Sequence, residues 1–188
     1  SSVSMNKFFE FGINAGSISS ERNVASSIFF SRWGSISGFL PKKRKDKESI
    51  LRSMYEFKPD IIVNTAALKT VWVAQDNPYE TILTNIVGHQ YLIDCVRECR
   101  HQIESLMFIS TDKACSPVNV YGMSKGIAEQ MYVNFAKEQT DVKVALCRYG
   151  NVLDSTGSLI PVFKDIINRG AESLPITSFE MTRDRKST

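Results

Sequence analysis

The sequence predicts an α/β fold, a doubly wound parallel sheet, and three observations carry that reading. Short apolar runs of strand length alternate with stretches of helical period from about Asp46 onward. The runs are rich in β-branched residues, as in Ile61-Ile-Val63, which suits parallel strands buried on both faces. Polar residues gather directly after the runs, at Lys69, at Ser110 to Lys113 and at Asn151. In such sheets ligands sit beyond the carboxyl ends of the strands.

Each element follows from its own residues. Residues 1 to 45 hold neither a period of 2 nor one of 3.6 for long; Lys7-Phe-Phe-Glu-Phe11 reads as a short strand, with a turn at Ala15-Gly16-Ser17-Ile18. The basic run Pro41-Lys-Lys-Arg-Lys45 reads as a solvated loop ahead of a helix rather than a nuclear-import signal. Asp46 is placed to cap a helix over Lys47 to Glu56, whose apolar face is Ile50, Leu51 and Met54. Pro59-Asp60 breaks it before the strand Ile61-Ile-Val63. Pro78 suits the first position of a long helix reaching about Arg100, with Ile82, Ile86, Leu92 and Val96 at helical spacing. A strand over Leu106 to Ile109, a helix from Tyr121 to about Lys137, a strand over Val142 to Cys147 and a last helix from Pro161 to about Asn168 complete the alternation.

With 188 residues, 43% of them hydrophobic and 23% charged, the chain has the make-up of one soluble domain with a real core. A net charge of +3 is too small to imply nucleic acid as a partner. No apolar run approaches the roughly 20 residues that span a bilayer, and no secretory signal is legible, so a cytoplasmic protein without a membrane partner is expected. Cys95, Cys99, Cys115 and Cys147 show neither C-x-x-C spacing nor a disulfide framework, so reduced thiols are expected. His89 and His101 have no zinc-ligand pattern, and no metal site is expected. Oligomeric state is left open, a homo-oligomer included.

The chemistry concentrates in Phe108 to Lys125, which holds an acid, two lysines, a phenol and several hydroxyls. Tyr121 and Lys125 are four apart on a predicted helix and so share a face. A cationic neighbour favours a phenolate and lowers the tyrosine's pKa, which suits Tyr121 to take a proton from an alcohol or sugar hydroxyl.

Ten short blocks then occur in order: Pro59-Asp-Ile-Ile-Val63, Ala66-Ala-Leu-Lys69, Asn77-Pro78, Thr84-Asn85, Ser110-Thr-Asp-Lys-Ala114, Tyr121-Gly-x-x-Lys125, Arg148-Tyr-Gly-Asn-Val152, Gly157-Ser158, Ile160-Pro161 and Met181-Thr-Arg183. With them the chain resembles the UDP-N-acetylglucosamine 4,6-dehydratases of the extended short-chain dehydrogenase/reductase superfamily, from about Asp46 to Arg183. The resemblance implies a single Rossmann-like domain with a catalytic part over 46–183, a divergent cofactor-binding start over 1–45, and most of the C-terminal substrate-binding region missing. It implies a lyase that converts UDP-N-acetylglucosamine, a UDP-amino-sugar, to a 4-keto-6-deoxy sugar. NADP or NAD would hold the hydride transiently.

The resemblance also assigns roles. Tyr121, with Lys125 and Thr111 beside it, would take the carbon 4 hydroxyl proton. Lys113 as a neutral amine would remove the carbon 5 hydrogen, and Asp112, kept protonated, would donate to the departing carbon 6 hydroxyl. Asp112-Lys113 is similar to the inverting enzymes, whereas retaining dehydratases carry Asp-Glu there and epimerases neither acid nor base. Membrane-anchored relatives often carry methionine at the tyrosine position, so Tyr121 points to the soluble, inverting branch. Cofactor contacts fall on Gly16, Ser17, Ile18, Ala66, Ala67, Lys69, Asn85, Ser110, Tyr121 and Lys125, and substrate contacts on Lys69, Asn151, Val152 and Arg183. The family's first turn is similar to Gly-Ala-Gly-Gly-Ser-Ile-Gly-Ser-Glu. Aligned by Lys7 and Glu21, this chain reads Ile13-Asn-Ala-Gly-Ser-Ile-Ser-Ser-Glu21 and keeps only Gly16 of those glycines. Loss of the others leaves an impaired enzyme, a binding or interaction subunit, as the alternative.

Overall fold

A computed structural model describes residues 24–31, 34–36, 47–100, 102–138, 141–150, 159–176 and 178–180. The expected turn at Gly16 to Ile18, the basic run, the Asp46 cap, and Asn151, Val152 and Arg183 lie outside them. Chain order is β1 (Val24–Ser31), β2 (Gly34–Ile36), α1 (Lys47–Phe57), β3 (Ile61–Leu68), α2 (Val71–Asp76), α3 (Pro78–Ile82), a π-turn (Leu83–Val87), α4 (Gly88–Glu98), β4 (Ser105–Thr111), a 3₁₀ turn (Asp112–Ala114), α5 (Val120–Glu138), β5 (Lys143–Tyr149) and α6 (Leu159–Asn168). The helix α6 belongs to a different compact unit from residues 17–150.

The five strands run in the order β2-β1-β3-β4-β5. The expected parallel part is β3-β4-β5, with Ile61 opposite Ser105 and Ser105 opposite Lys143. Each crossover between these strands is helical, as parallel neighbours require. The Rossmann-like α/β class is therefore as the sequence reading expects. The sequence reading did not find β1 and β2, which add antiparallel to β3 and to each other. Serines interrupt the apolar residues of β1, so neither period is legible there.

One core fixes the site from beneath. Ile62, Leu106 and Phe108 point to one face of the sheet, where they meet Ile50 and Met54 of α1, Leu92, Ile93 and Val96 of α4, and Ala128, Tyr132 and Phe135 of α5. Each large side chain removed from water here contributes roughly 1.5–3 kcal/mol. Phe108 stacks on Tyr132 at 4.6 Å, and His89 meets Phe108 edge-on at 4.8 Å. Two polar groups are carried in this core and both are satisfied. Asn64 Nδ2 donates to the Tyr132 hydroxyl at 2.6 Å. His89 Nε2 lies 2.9 Å from the Ala66 carbonyl oxygen, which can only accept, so the ring carries its proton on Nε2.

The long helix expected from Pro78 is present, with Pro78 at its first turn, and is interrupted by the π-turn. Leu92 and Val96 are buried as expected, but Ile82 is exposed. The extra residue of the π-turn shifts the apolar face between Ile82 and Leu92. Cys95 and Cys99 are buried free thiols, and burial pushes the Cys95 thiol up to about 12.

Candidate active site

The apolar β4 ends in Ile109-Ser110-Thr111, and the chain turns at once into the 3₁₀ turn Asp112–Ala114. Thr111 caps that turn, its Oγ1 accepting from the Lys113 backbone N–H at 3.3 Å. Seven residues after Lys113, α5 begins at Val120. Its first turn is held by the Asn119 side chain, which accepts from the Gly122 N–H at 2.8 Å. Gly122 is where helix and turn touch: a Cβ there would lie 2.2 Å from the Lys113 carbonyl oxygen. Only glycine lets α5 approach the 3₁₀ turn this closely.

This approach brings the five expected catalytic residues together. Thr111 Oγ1 donates to Asp112 Oδ1 at 2.9 Å, and Lys113 Nζ donates to the same oxygen at 3.1 Å. The Tyr121 hydroxyl shares a hydrogen bond with Thr111. Lys125 Nζ donates to the Ile109 carbonyl oxygen at 2.8 Å and sits 4.4 Å from the centroid of the Phe108 ring. Gly150, just beyond β5, closes the side of the site, since a Cβ on it would lie 3.8 Å from Asp112 Oδ2.

The charge states differ from the expectation in two places. Burial pushes the Tyr121 phenol up to about 12, with Tyr149 adding to the rise and the Thr111 hydrogen bond opposing it. The cation expected to lower it is itself weakened: Lys125 is 2% exposed, and burial pulls its amine down to about 7 against the pull of Glu129. Asp112 is ionised. Burial raises its carboxyl, but the hydrogen bonds from Lys113 and Thr111 outweigh that and hold it below its ordinary value.

The expected cofactor contacts divide. Ala66 and Ala67 are buried near the end of β3, and Lys69 is exposed just after it. Asn85, on the π-turn, is fully used inside the protein: its Oδ1 accepts from the Leu68 N–H at 2.7 Å, and its Nδ2 donates to the Leu68 carbonyl and to Ser124 Oγ. Ser124 Oγ in turn donates to the Tyr121 carbonyl at 2.8 Å, so Asn85 ties the end of β3 to the first turn of α5. The Ser110 hydroxyl donates to Glu129. Glu129 also takes Arg148 Nε at 2.9 Å and Nη2 on its second oxygen. Sequence reading missed Glu129. The spacing Lys125-x-x-x-Glu129, a further helical turn on the same face, is the signal that marks it.

Against known proteins, residues 39–184 match the family described as Polysaccharide biosynthesis protein. The chain belongs to that family. Among its relatives, the UDP-N-acetylglucosamine 4,6-dehydratase (inverting) of Campylobacter jejuni is 40% identical over 141 residues, 74% of this chain and 41% of that protein. The UDP-glucose 4-epimerase of Rickettsia canadensis is 38% identical over 126 residues, 66% of this chain and 36% of that protein. Among solved structures, the X-ray structure of Pen from Bacillus thuringiensis superposes with a TM-score of 0.62 at 30% identity, covering 68% of this chain and 39% of that one. The chain thus spans about two fifths of the length of the Campylobacter jejuni dehydratase and of Pen. Among the described residues no helix is long and apolar enough to cross a membrane.

Proposed function

We propose that the chain carries the catalytic part of a nucleotide-sugar lyase. It would convert UDP-N-acetylglucosamine to a 4-keto-6-deoxy sugar with inversion at carbon 5. The observation that carries this reading is the Asp112–Lys113 pair, joined at 3.1 Å beside Tyr121. An acid and an amine next to a tyrosine base are what elimination of water across carbons 5 and 6 requires, and an epimerase has no use for them.

The residues near Tyr121 and Lys125 fit the nicotinamide half of NADP or NAD. Lys125 spends one N–H on the Ile109 carbonyl and keeps two for ligand hydroxyls. When bound, that cofactor supplies reversible storage of a hydride. Tyr121 is the proton acceptor for the carbon 4 hydroxyl, and the positive charge of Lys125 lowers the barrier to forming its phenolate. A phenol at about 12 is a strong base once ionised, so each increment of positive charge brought to the site favours the transfer.

Asp112 begins as a carboxylate, the reverse of what the elimination needs. Moving one proton from Lys113 Nζ to Asp112 Oδ1, along the existing hydrogen bond, yields a neutral amine and a carboxylic acid together. Both side chains are part-exposed, at 35% and 52%. Covering them with a substrate disfavours the ion pair and drives that transfer. The amine then removes the carbon 5 hydrogen while the acid protonates the carbon 6 hydroxyl, which departs as water. Four free cysteines fit a cytoplasmic setting for this chemistry.

The test is incubation of the purified chain with UDP-N-acetylglucosamine and excess NADP in deuterated water. A keto-sugar carrying deuterium at carbon 5 is expected, and turnover without loss of water would replace this reading with an epimerase. The stretch Ile13 to Glu21, which has a single glycine at Gly16, favours one other reading, a binding subunit that does not turn over. Titration with NADP separates the two: micromolar or tighter binding is expected of the enzyme, and none of the subunit.

A further inference from the structure

Glu129 is 4% exposed, lies one helical turn beyond Lys125, and has no part in the chemistry described above. Three elements converge on it. From β4 the Ser110 hydroxyl donates to Oε1. From β5 Arg148 donates from Nε to Oε1 and from Nη2 to Oε2 in a fork, with its remaining Nη1 2.9 Å from Cys115 Sγ. From its own helix Lys125 is the charged neighbour. Ser110 stands between Ile109, whose carbonyl holds the Lys125 amine, and Thr111, which meets the Tyr121 hydroxyl and caps the Asp112–Ala114 turn. A clamp on Ser110 therefore fixes the strand residues on both sides of it.

We propose that Glu129 is a positioning residue for the Tyr121–Lys125 pair. Clamped by Arg148, it pins Ser110 and with it the two β4 residues that hold the pair, one helical turn from the buried Lys125 amine. The proposal rests on the reading of Tyr121 and Lys125 as the proton-transfer site. Among the described residues, the charged group acting on Lys125 is the Glu129 carboxylate on α5, with the Ile109 carbonyl and the Phe108 ring of β4 beside the amine. Removing the carboxylate leaves burial unopposed and the Arg148 cation unneutralised, and both act against the ammonium. Removing the guanidinium instead leaves the carboxylate to act on Lys125 alone. The two changes have opposite signs, which a purely structural role of the pair does not predict.

The experiment is a titration of Lys125 by carbon-13 NMR of its Cε in the full chain, assigned with Lys125→Arg. Glu129→Gln keeps an acceptor for Ser110 and removes the charge. In it Lys125 is expected to titrate at lower pH, so that its protonated fraction near pH 7 falls roughly threefold or more. In Arg148→Gln the midpoint is expected to move to higher pH, and this variant carries the test alone if Glu129→Gln does not fold. An unchanged midpoint in both, or a downward move in Arg148→Gln, overturns the proposal. Turnover of the nucleotide sugar is read separately, with kcat reduced at least tenfold and KM nearly unchanged in Glu129→Gln. Because the titration needs no substrate, a wild-type chain that fails to turn over while the midpoints move as stated counts against the proposed function and not against the clamp.

Discussion

Lys125 donates from Nζ to the Ile109 carbonyl oxygen at 2.8 Å, and this bond takes the place of one of the waters its ammonium would otherwise hold. Burial brings its amine from an ordinary 10.5 down to about 7. The folded value is the depressed one, so between about pH 7 and the ordinary value the unfolded chain binds the extra proton, and stability rises with pH across that window. At neutral pH the site therefore carries an energetic cost. Lys125→Met, which keeps the packing on Phe108 and drops the charge, should raise the unfolding free energy by roughly 1–3 kcal/mol near pH 7, the desolvation relieved less the bond lost. The gain should shrink toward about pH 10. Urea unfolding at the two pH values checks this, and a variant less stable than wild type near pH 7 would contradict the burial.

Two glycines on α5 make opposite predictions from the same substitution. In a helix interior alanine is favoured over glycine by about 1 kcal/mol. At Gly126 an added Cβ meets nothing closer than the Ala114 carbonyl oxygen at 3.6 Å, so Gly126→Ala should be neutral or stabilising by up to about 1 kcal/mol. At Gly122 the same atom would lie 2.2 Å from the Lys113 carbonyl and 3.1 Å from Pro117 Cβ. Because the Lys113 backbone must give way, Gly122→Ala should cost about 1–3 kcal/mol or more, and activity should fall further as the Asp112–Ala114 turn leaves Tyr121. Thermal unfolding of the pair reads the contrast. Equal midpoints would mean that α5 and the turn are not this close.

Asn85 is the third case, where a residue placed among the cofactor contacts by sequence is held entirely by the protein. Truncation to alanine frees the Leu68 N–H and carbonyl and the Ser124 hydroxyl in a site where Asn85 itself is 0% exposed. A loss of about 2–4 kcal/mol is expected in chemical unfolding, from buried groups left without partners. Asn85→Asp should cost less, since it keeps the acceptor for Leu68 N–H and loses only the donors. If Asn85→Ala proves as stable as wild type but fails to bind NADP, Asn85 is a ligand contact after all.

What was legible in the sequence follows the strength of local signals. Ile61 to Leu68, Ser105 to Thr111 and Lys143 to Tyr149 announce themselves by β-branched or apolar runs, and the helices between them by period and by Pro78. Thr111, Asp112, Lys113, Tyr121 and Lys125, which the structure brings together, stand out in the sequence because they are close along the chain and chemically conspicuous. What escaped was long-range. The antiparallel β1 and β2 have serine-broken patterns that tertiary pairing alone makes into strands. Glu129 and Arg148 are ordinary surface types until the fold sets them against Ser110. The charge states were misjudged for the same reason, since the pKa of Tyr121 depends on how deeply its hydroxyl is buried, and spacing on a helix does not report depth.

Asp112 and Lys113 provide the sharpest chemical prediction, because each is assigned one proton in the proposed elimination. Asp112→Asn cannot donate to the carbon 6 hydroxyl, and loss of a positioned general acid lowers kcat by roughly 10²–10⁴-fold. The oxidation at carbon 4 does not need Asp112, so reduced cofactor should accumulate in a single turnover while no water is lost. Lys113→Met removes the base for carbon 5, and deuterium should fail to enter there even when oxidation at carbon 4 is seen. The two variants also report on the shared proton. In Asp112→Asn the Lys113 side chain has lost the carboxylate that would receive its proton, so deuterium exchange at carbon 5 should also slow. Exchange at carbon 5 that is as fast in Asp112→Asn as in wild type would separate the two residues and leave Lys113 acting alone.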